Sequence, residues 1–286
     1  MIIKEFFDKD SQTFSYVVAD DTSGVCVIID SVLGFDMPSA RTDTTLADDI
    51  IAYINAQAWT VAWHLETHIH ADHLSAASYL KSKLGGKIAI SHRIDEVQSI
   101  FGEIYHLDFK SANAMMGFDY FFQDDESFAI GTLSATAIAT PGHTPACMSY
   151  LIDDAVFVGD TLFMPDYGTA RCDFPKGSSQ TLYQSVQKLY TLPDVTKVFL
   201  CHDYLPKSRD EFCHQTTIGT QKQHNIHINT TVNQEQFVAM RDAKDRTLAM
   251  PKLLLPSIQV NLQAGNLPQA EDNDISYLKI PLNQFR

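Results

Sequence analysis

The chain has 286 residues, 45% of them hydrophobic and 10% aromatic, which is ordinary for a globular protein that folds around its own core. Its 21 basic and 35 acidic residues give a formal charge of -14, so the surface as a whole repels phosphate backbones and anionic membranes. No apolar run approaches the roughly 18 residues of a membrane span. These properties exclude nucleic acid and membranes as expected partners.

The five cysteines indicate a reducing compartment. They are odd in number, widely spread and without a CxxC pair, which is atypical of a disulfide framework. The N-terminal stretch "MIIKEFFDKDSQ" lacks the long apolar core of a signal peptide. We therefore expect a cytoplasmic protein, and the sequence leaves a homodimer open.

The first third of the chain predicts a series of strands and helices. Three neighbouring antiparallel strands are predicted at "MIIKEFF", "TFSYVVAD" and "GVCVIID", followed by an amphipathic helix at "TDTTLADDIIAYINAQA". A buried strand, "VAWHLETH", precedes a helix over "ADHLSAASYLKSKLGG", closed by its two glycines, and a further strand, "KIAISH". The histidine-rich stretch "THIHADH" therefore falls at the corner between a strand and a helix.

The remaining elements return to short strands. "ESFAIG", "LSATAIAT", "ACMSYLID" and "AVFVGD" predict strands, "SSQTLYQSVQKLYTL" a helix and "KVFLCHDY" a last strand. From about Arg209 we predict helices at "EFCHQTTIGTQKQHN" and "NQEQFVAMRDAKDR" and then a Pro-punctuated tail. We predict one domain over residues 1–208, on which a helical extension, residues 209–286, packs.

The stretch "THIHADH" is typical of a metal site. In an extended segment, side chains at i and i+2 point to the same side, so His68 and His70 can face one ion. Asp72 and His73 follow at the start of the predicted helix. The alternative is a helix cap at Asp72 among scattered loop histidines. Crowded imidazoles and carboxylates at a strand end match the way metal ligands are supplied, so we favour the metal site.

Three more strand ends carry residues of the same kinds. His143 follows the tight turn formed by Pro141 and Gly142, Asp160 ends "AVFVGD", and His202 lies at the end of "VFLCHDY". Each alone is compatible with a loop or a helix cap, but caps rarely need imidazole. The four strand ends together predict one metal centre.

This pattern resembles a known family. The motifs "THIHADH", "TPGHTPACMSY", "GDTLF", "ARCDF" and "CHDY" are similar to those of the metallo-β-lactamase superfamily, and within it to the ETHE1-like persulfide dioxygenases. The resemblance runs to about Tyr204. It implies an α/β fold, an αββα sandwich with the metal site along one edge of its two sheets. It also implies the full ligand set, which is His68, His70, Asp72, His73, His143, Asp160 and His202.

In the dioxygenase branch, the resemblance implies one Fe(II) per chain. The core ligands would be His68, His143 and Asp160, with His70 close by. Two histidines and one carboxylate leave coordination positions open, which O2 and a sulfur substrate can occupy together. Our leading hypothesis is a persulfide dioxygenase that oxidises a small anionic thiol persulfide, such as glutathione persulfide, with O2 to sulfite and thiol.

The hydrolases of the superfamily suggest an alternative. They generally hold two zinc ions, one at the positions of His68, His70 and His143. The other ion lies at the positions of Asp72, His73 and His202, and Asp160 stands between the two ions. All these residue types are present here, so a zinc hydrolase of the glyoxalase II or lactonase type, which cleaves a thioester or lactone with an activated water, stays open.

The resemblance also assigns substrate residues. Arg171 in "ARCDF" is implied to contact the glutathione part of the substrate, since a guanidinium can bind a carboxylate through two parallel hydrogen bonds. An ion pair with Asp166 or Asp173 is the structural alternative. Tyr204 is implied to act in catalysis and substrate binding, with its hydroxyl toward the metal; its alternative is an aromatic anchor at the strand end.

Other side chains carry weaker expectations. Lys207 or Arg209 would assist Arg171 in holding the substrate. Cys172 is expected to be a small buried hydrophobe, although a redox or sulfide sensor that uses it is a third hypothesis. His64 is expected in the core, and His227, three residues after His224, is expected to be solvated.

Overall fold

The computed structural model describes residues 1–109 and 117–285. Within these residues lie seven helices: α1 Thr45–Ala56, α2 Ala77–Leu84, α3 Ile94–Tyr105, α4 Ser179–Leu189, α5 Ile218–His224, α6 Gln234–Asp245 and α7 Leu254–Asn261. The first nine strands are β1 Ile2–Asp8, β2 Thr13–Asp20, β3 Val25–Ile29, β4 Val32–Asp36, β5 Arg41–Asp43, β6 Thr60–Leu65, β7 Leu74–Ser75, β8 Lys87–Ser91 and β9 Tyr120–Phe122. The others are β10 Glu126–Ile130, β11 Leu133–Ala139, β12 Met148–Ile152, β13 Ala155–Phe157, β14 Lys197–Phe199 and β15 Gln215–Thr217.

Two six-stranded sheets form the centre of the molecule. The first has the order β1-β2-β3-β6-β8-β9, in which β1, β2 and β3 pair antiparallel, as predicted, and β3, β6, β8 and β9 pair in parallel. The second has the order β10-β11-β12-β13-β14-β15 and is antiparallel except for the pair β13–β14. A small sheet, β5-β4-β7, lies beside residues 66–73, the histidine loop between β6 and β7.

Successive side chains of β2 pack into two different parts of the core. Phe14, Tyr16 and Val18 face the core between the two sheets, whereas Val17 and Ala19 face the opposite way, toward helices. This follows from the period of two in a strand. Because both faces of β2 are covered, all eight of its residues are buried. Burial of a large apolar side chain such as Phe14 or Val18 contributes about 1.5–3 kcal/mol.

Helices cover the outer face of each sheet. Helices α1, α2, α3 and α7 pack on the first sheet, and α4, α5 and α6 pack on the second through Leu182, Ile218 and Phe237. The result is the predicted αββα sandwich. None of the helices in the described ranges has the length and apolar character needed to cross a bilayer.

Two predicted helices differ from the structure. The helix predicted over residues 71–86 begins only at Ala77, because Leu74 and Ser75 instead pair with Val32 and Leu33 as strand β7. Asp72 is therefore a loop residue and not a helix cap. The helix predicted over residues 211–225 is in part a strand, since Gln215–Thr217 pairs with β14 and α5 starts only at Ile218.

Residues after 208 contribute a strand to the second sheet and helices to the outer faces of both sheets. Strand β15 belongs to the second sheet, α6 packs against α4, and α7 contacts β7. The predicted helix at "NQEQFVAMRDAKDR" is α6, which begins with an Asn233–Gln236 capping box. The division of the chain at residue 208 stays a prediction.

Candidate metal centre

Backbone hydrogen bonds between the two sheets bring the strand ends together. Phe14 N–H, at the start of β2, donates to the carbonyl of Cys201, just beyond β14 (2.7 Å). Met148 N–H, at the start of β12, donates to the carbonyl of Thr67, just beyond β6 (2.8 Å). Because these strand ends are fixed to one another, the histidines that follow them face a common point.

Three of the predicted ligands form one group. The candidate donor atoms of His68, His143 and Asp160 lie within 4.8 Å of one another. Oδ2 of Asp160 lies 4.0 Å from Nε2 of His68 and 3.7 Å from Nε2 of His143. All three side chains are buried. This is the group that the resemblance to the dioxygenases implied as the core iron ligands.

The other predicted ligands form a second group next to the first. Oδ1 of Asp160 lies 3.4 Å from Nε2 of His202, which lies 3.3 Å from Oδ2 of Asp72. The donor atoms of His70, Asp72 and His73 lie within 4.8 Å of one another. Asp160 therefore stands between the groups, with one carboxylate oxygen toward each.

His70 lies between the two groups. Its ring centroid is 4.0 Å from that of His68 and 4.2 Å from that of His73. The sequence placed His70 with the primary set, and the structure also places it within reach of Asp72 and His73.

Each of the five histidines has one ring nitrogen held by the protein. The contacts are His68 Nδ1 with Thr67 Oγ1 (3.0 Å), His70 Nε2 with Asp30 Oδ1 (3.1 Å), His73 Nδ1 with the Leu74 carbonyl (3.1 Å), His143 Nδ1 with the Arg171 carbonyl (2.7 Å) and His202 Nδ1 with the Gln12 carbonyl (3.2 Å). Such partners fix the orientation of a ring and leave its other nitrogen for a metal.

Several buried polar atoms of this cluster have no hydrogen-bond partner among the described residues. They are His70 Nδ1, Asp72 Oδ2, His73 Nε2, Asp160 Oδ1 and His202 Nε2. A buried polar atom without a partner is costly, and clustered imidazole and carboxylate atoms of this kind are typical metal ligands. The residues therefore fit one or two transition-metal ions.

Burial and charge set the protonation of the cluster. Burial lowers the pKa of His68 well below its ordinary value, and the neighbouring histidines lower it further; the pKa of His73 is lowered to about 4. Burial would also lower the pKa of His70, but Asp30, Glu66 and Asp72 raise it to about 9. A neutral imidazole can bind a metal ion through its free nitrogen. The carboxylates around His70 stabilise the positive charge of a protonated ring or of a bound ion.

Two acidic residues behind His70 were not predicted from the sequence. Asp30 accepts hydrogen bonds from Thr67 N–H and from His70 Nε2, and Glu66 Oε2 lies 3.6 Å from the same nitrogen. Burial raises the pKa of Glu66 to about 8. Asp30 ends the apolar run "VCVIID", which is the same strand-end signal that identified Asp160, and this signal could have identified Asp30.

Arg171 forms an ion pair with Asp173, which was the structural alternative to substrate binding. Its guanidinium binds both carboxylate oxygens of Asp173 (2.6 and 2.7 Å) and donates to the Ala249 carbonyl (2.7 Å). Its own carbonyl orients His143. The side chain still lines the cavity in front of the metal centre, and its contact with substrate stays a prediction.

Tyr204 lies beside the second group. Its ring stacks on that of His202, with centroids 5.5 Å apart and planes at 19°, and it also lines the cavity. Burial raises the pKa of Tyr204 well above its ordinary value, and Asp160 and Asp72 add to the shift, so the hydroxyl is protonated at neutral pH. Its role with substrate stays a prediction.

The structure also places the residues for which the sequence gave weaker expectations. Arg209 is held by Asp166 (2.7 Å) and Asp203 (2.6 Å), and its assistance to Arg171 stays a prediction. Cys172 lies in the core beneath α4, where burial raises the pKa of its thiol, so it is a poor redox sensor. His64 is in the core, as expected, whereas His227 is buried and not solvated.

A cavity of about 1460 Å³ opens in front of the metal centre. One side consists of the β1–β2 turn and the β4–β5 hairpin, and the other consists of residues 160–174 and the C-terminal part of the chain. The C-terminal part contributes Arg241, Lys244 and Lys252, which the sequence did not predict as site residues. The extension therefore forms part of the wall of the cavity in front of the metal centre.

With this fold and ligand set, the chain belongs to the metallo-β-lactamase superfamily, whose sequence profile matches residues 8–202. The chain is 48% identical to a Burkholderia pseudomallei protein named "Probable metallo-hydrolase" (99% of each chain) and 49% identical to Glyoxylase B2 of Dictyostelium discoideum (99% of this chain, 98% of the relative).

More distant relatives include the mitochondrial persulfide dioxygenase ETHE1 of Homo sapiens, which is 26% identical over 93% of this chain and 89% of the relative. Among solved structures, ETHE1 from Myxococcus xanthus superimposes with a TM-score of 0.74 at 28% identity, covering 93% of this chain and all of that chain. The chain is thus similar both to proteins named as hydrolases and to persulfide dioxygenases.

Proposed function

We propose that the chain is a dinuclear metallo-hydrolase that cleaves a thioester of a small anionic thiol. The position of Asp160 carries this proposal, because its two carboxylate oxygens are directed toward two separate groups of ligands. The unpartnered donor atoms of Asp72, His73 and His202 support a second ion, since they lie outside the group formed by His68, His143 and Asp160. The relatives named metallo-hydrolase and glyoxylase support the same reaction class.

In this proposal, His68, His70 and His143 would hold one ion and Asp72, His73 and His202 would hold the other, and Asp160 lies between the two groups. Bound ions supply Lewis acidity and lower the pKa of a coordinated water.

Two features of the protein prepare the site for substrate. Tyr204, which lines the cavity with a protonated hydroxyl, can donate a hydrogen bond to the substrate oxygen that gains negative charge. Asp72 is half-buried and lines the cavity. The second group of ligands therefore lies on the side of the cluster that faces the cavity, from which a substrate would approach.

A persulfide dioxygenase with one Fe(II) at His68, His143 and Asp160 is the second candidate. The similarity to ETHE1 from Myxococcus xanthus and the compact group of two histidines and one carboxylate support it.

Two assays distinguish the candidates. Zinc-loaded protein is tested for release of thiol from S-lactoylglutathione, and anaerobically iron-loaded protein is tested for O2 consumption with glutathione persulfide. We expect thioester cleavage that falls by more than about tenfold in Asp72→Asn, which changes only the second group. Oxygen consumption with sulfite formation in both the wild type and Asp72→Asn, without thioester cleavage, would instead establish the dioxygenase.

We also infer a cytoplasmic setting, without nucleic acid or membrane partners. The free state of Cys26, Cys147, Cys172, Cys201 and Cys213 supports a reducing compartment, and the charge of -14 argues against anionic polymers and membrane surfaces. A homodimer stays a prediction.

A further inference from the structure

A row of hydrogen bonds leads from the second group of ligands to the wall of the cavity. Nδ1 of His202 lies 3.2 Å from Oγ1 of Thr13, which lies 2.8 Å from Oγ of Ser11. The Ser11 hydroxyl in turn donates to Oδ2 of Asp8 (2.5 Å). Thr13 is fully buried, whereas Asp8 and Ser11 line the cavity. We call Asp8, Ser11 and Thr13 the turn network.

The β1–β2 hairpin places this network beside His202. Asp8 ends β1, Thr13 begins β2, and the two residues pair with each other across the hairpin. Thr13 also forms an antiparallel bridge with His202, next to the hydrogen bond from Phe14 N–H to the Cys201 carbonyl. The backbone therefore holds the Thr13 hydroxyl against one edge of the His202 ring.

The carboxylate of Asp8 sets the direction of every hydrogen bond in the network. An ionised carboxylate can only accept, and Oδ2 of Asp8 accepts from both the N–H (2.8 Å) and the hydroxyl of Ser11. The single proton of the Ser11 hydroxyl is then in use, so Ser11 accepts from Thr13. Thr13 in turn accepts from Nδ1 of His202. The Gln12 carbonyl, 3.2 Å from Nδ1, requires the same proton. A neutral His202 ring therefore has its lone pair on Nε2.

Stabilisation of the turn alone does not account for the whole network. An aspartate that accepts from the backbone and side chain of a nearby serine is a common turn feature, and that role ends at Ser11. It gives no reason for the buried Thr13 hydroxyl to bridge Ser11 and a ring nitrogen. Nε2 of the same ring lacks a hydrogen-bond partner in the described ranges and lies 3.3 Å from Oδ2 of Asp72. The network thus holds one nitrogen of a ring whose other nitrogen faces the second group.

We propose that Asp8, Ser11 and Thr13 are positioning residues that prepare His202 to bind the second ion. The inference deepens the proposed function and rests on its second ion. The network fixes the ring and keeps the proton on Nδ1, so that Nε2 is available as a donor atom. The negative charge of Asp8, transmitted through two hydroxyls, also makes Nε2 a stronger donor, since polarised hydrogen bonds behind a ligand strengthen it.

The network should affect the second ion and not the first. In the first group, His68 is held by the Thr67 hydroxyl and His143 by the Arg171 carbonyl. Neither of these contacts involves the β1–β2 turn. A defect in the turn network therefore predicts a selective loss of affinity for the second ion, whereas a general loss of structure would weaken both ions.

Calorimetric titration of the metal-free full chain with zinc measures the affinity for each ion. We expect Thr13→Val, which removes the hydroxyl and keeps the shape, to weaken the second zinc by about tenfold or more and leave the first unchanged. Thr13→Ser should restore most of the affinity. Asp8→Asn, whose amide oxygen can still accept from Ser11, should weaken the second zinc by less. The matched control is Thr216→Val, a buried threonine of β15 outside the cavity, which should bind as the wild type does.

The proton of His202 is observed on the wild type itself. In zinc-loaded protein labelled with 15N-histidine, 1H–15N spectra of the rings show which nitrogen carries the proton, and loss of signals in His202→Gln identifies those of His202. We expect the proton on Nδ1. A proton on Nε2, or equal second-zinc affinities for Thr13→Val and the wild type, would refute the proposal.

Failure of the network is distinguishable from failure of the proposed function, because zinc affinity and proton position are measured without turnover. Selective weakening of the second zinc, without thioester cleavage by the wild type, would keep the network and reject the hydrolase. Thioester cleavage by the wild type, with an unchanged second zinc in Thr13→Val, would do the reverse.

Discussion

Asp30 shows how a residue behind a ligand can control a metal site. Its carboxylate accepts from His70 Nε2 and from the N–H and hydroxyl of Thr67, and it is almost fully buried. Burial would raise the pKa of Asp30, but His70 and these hydrogen bonds lower it below its ordinary value. The carboxylate therefore stays ionised, fixes the ring of His70 and favours a cation beside it.

Replacement of this carboxylate should weaken metal binding. Asp30→Asn keeps the shape of the side chain and removes its charge, and loss of such a partner typically costs about 10–100-fold in metal affinity. Competition with a chromogenic chelator measures this. The exposed Asp272→Asn is the control and should bind metal as the wild type does. Equal affinities for Asp30→Asn and the wild type would contradict the role given to Asp30.

At the level of single residues, the resemblance implied a set of candidate ligands but not the residues behind them. It implied that His68, His143 and Asp160 form one group, and the structure brings their donor atoms within 4.8 Å of one another. Glu66 also follows an apolar strand, but the strand pattern does not show that it faces His70. The contacts of Arg171 depend on the placement of Asp173 and Ala249, which only the folded chain fixes.

At the level of elements, helix α7 holds the histidine loop. The side chain of Asn261 donates to the carbonyls of His70 and His73 (2.8 Å each) and accepts from Ser75 N–H (2.7 Å). These partners are 186–191 residues away in sequence. The sequence pattern carries no sign of this contact, which explains in part why residues 71–75 form a loop and strand β7 where a helix was predicted.

Removal of the Asn261 side chain should destabilise the histidine loop. Asn261→Ala leaves two buried carbonyls and one N–H without their partner, and each unsatisfied group costs about 1–3 kcal/mol. We expect a lower free energy of unfolding in urea and weaker metal binding. Gln263→Ala, a nearby helix-end control whose side chain donates only to the Gln259 carbonyl, should have a small effect. Wild-type stability and metal affinity in Asn261→Ala would reject this role of α7.

Helix α6 holds the segment before the cavity through a buried ion pair. Arg241 pairs with Asp245 (2.6 Å) and donates to the Thr169 carbonyl (3.0 Å), and Asp245 accepts from Cys172 N–H (2.8 Å). The i, i+4 spacing was visible in the sequence, but burial of the pair was not.

Loss of the cation should leave a buried charge without its partner. Arg241→Met should lower the free energy of unfolding by about 3–5 kcal/mol, because a buried carboxylate loses its compensating charge. Arg246→Met, on the exposed side at the end of the same helix, should change it by less than about 0.5 kcal/mol. Similar effects of the two substitutions in chemical denaturation would contradict the account of α6.

At the level of the whole molecule, buried histidines make stability depend on pH. Burial lowers the pKa of His64 to about 4, against an ordinary value of 6.5. Between these values the unfolded chain binds a proton that the folded chain does not. His64 therefore lowers stability as the pH falls through this window, by about 1.4 kcal/mol per pH unit at most.

His64→Gln, whose amide can also donate to the Gly85 carbonyl, should flatten this dependence. The free energy of unfolding in urea, measured at intervals between pH 4 and 7, should fall less steeply in the variant than in the wild type. His224→Gln, at an exposed position, should retain the wild-type slope. A His64→Gln slope equal to that of the wild type would show that His64 does not contribute.

The overall architecture could be predicted from the sequence because period-two strands and period-3.6 helices recur in order, and because the motifs resemble one family. The extent of the cavity could not be predicted in this way. It is built from the β1–β2 turn, the β4–β5 hairpin and the C-terminal residues Arg241, Lys244 and Lys252, which meet only after folding.

Metal stoichiometry tests the central claim most directly. Elemental analysis of the wild type and of Asp72→Asn, each loaded separately with zinc and, under anaerobic conditions, with iron, gives the number of ions per chain. The dinuclear site predicts two ions per wild-type chain and about one in Asp72→Asn, since only the second group loses a charged ligand. One iron per chain in both proteins, with no second ion under either condition, would contradict it.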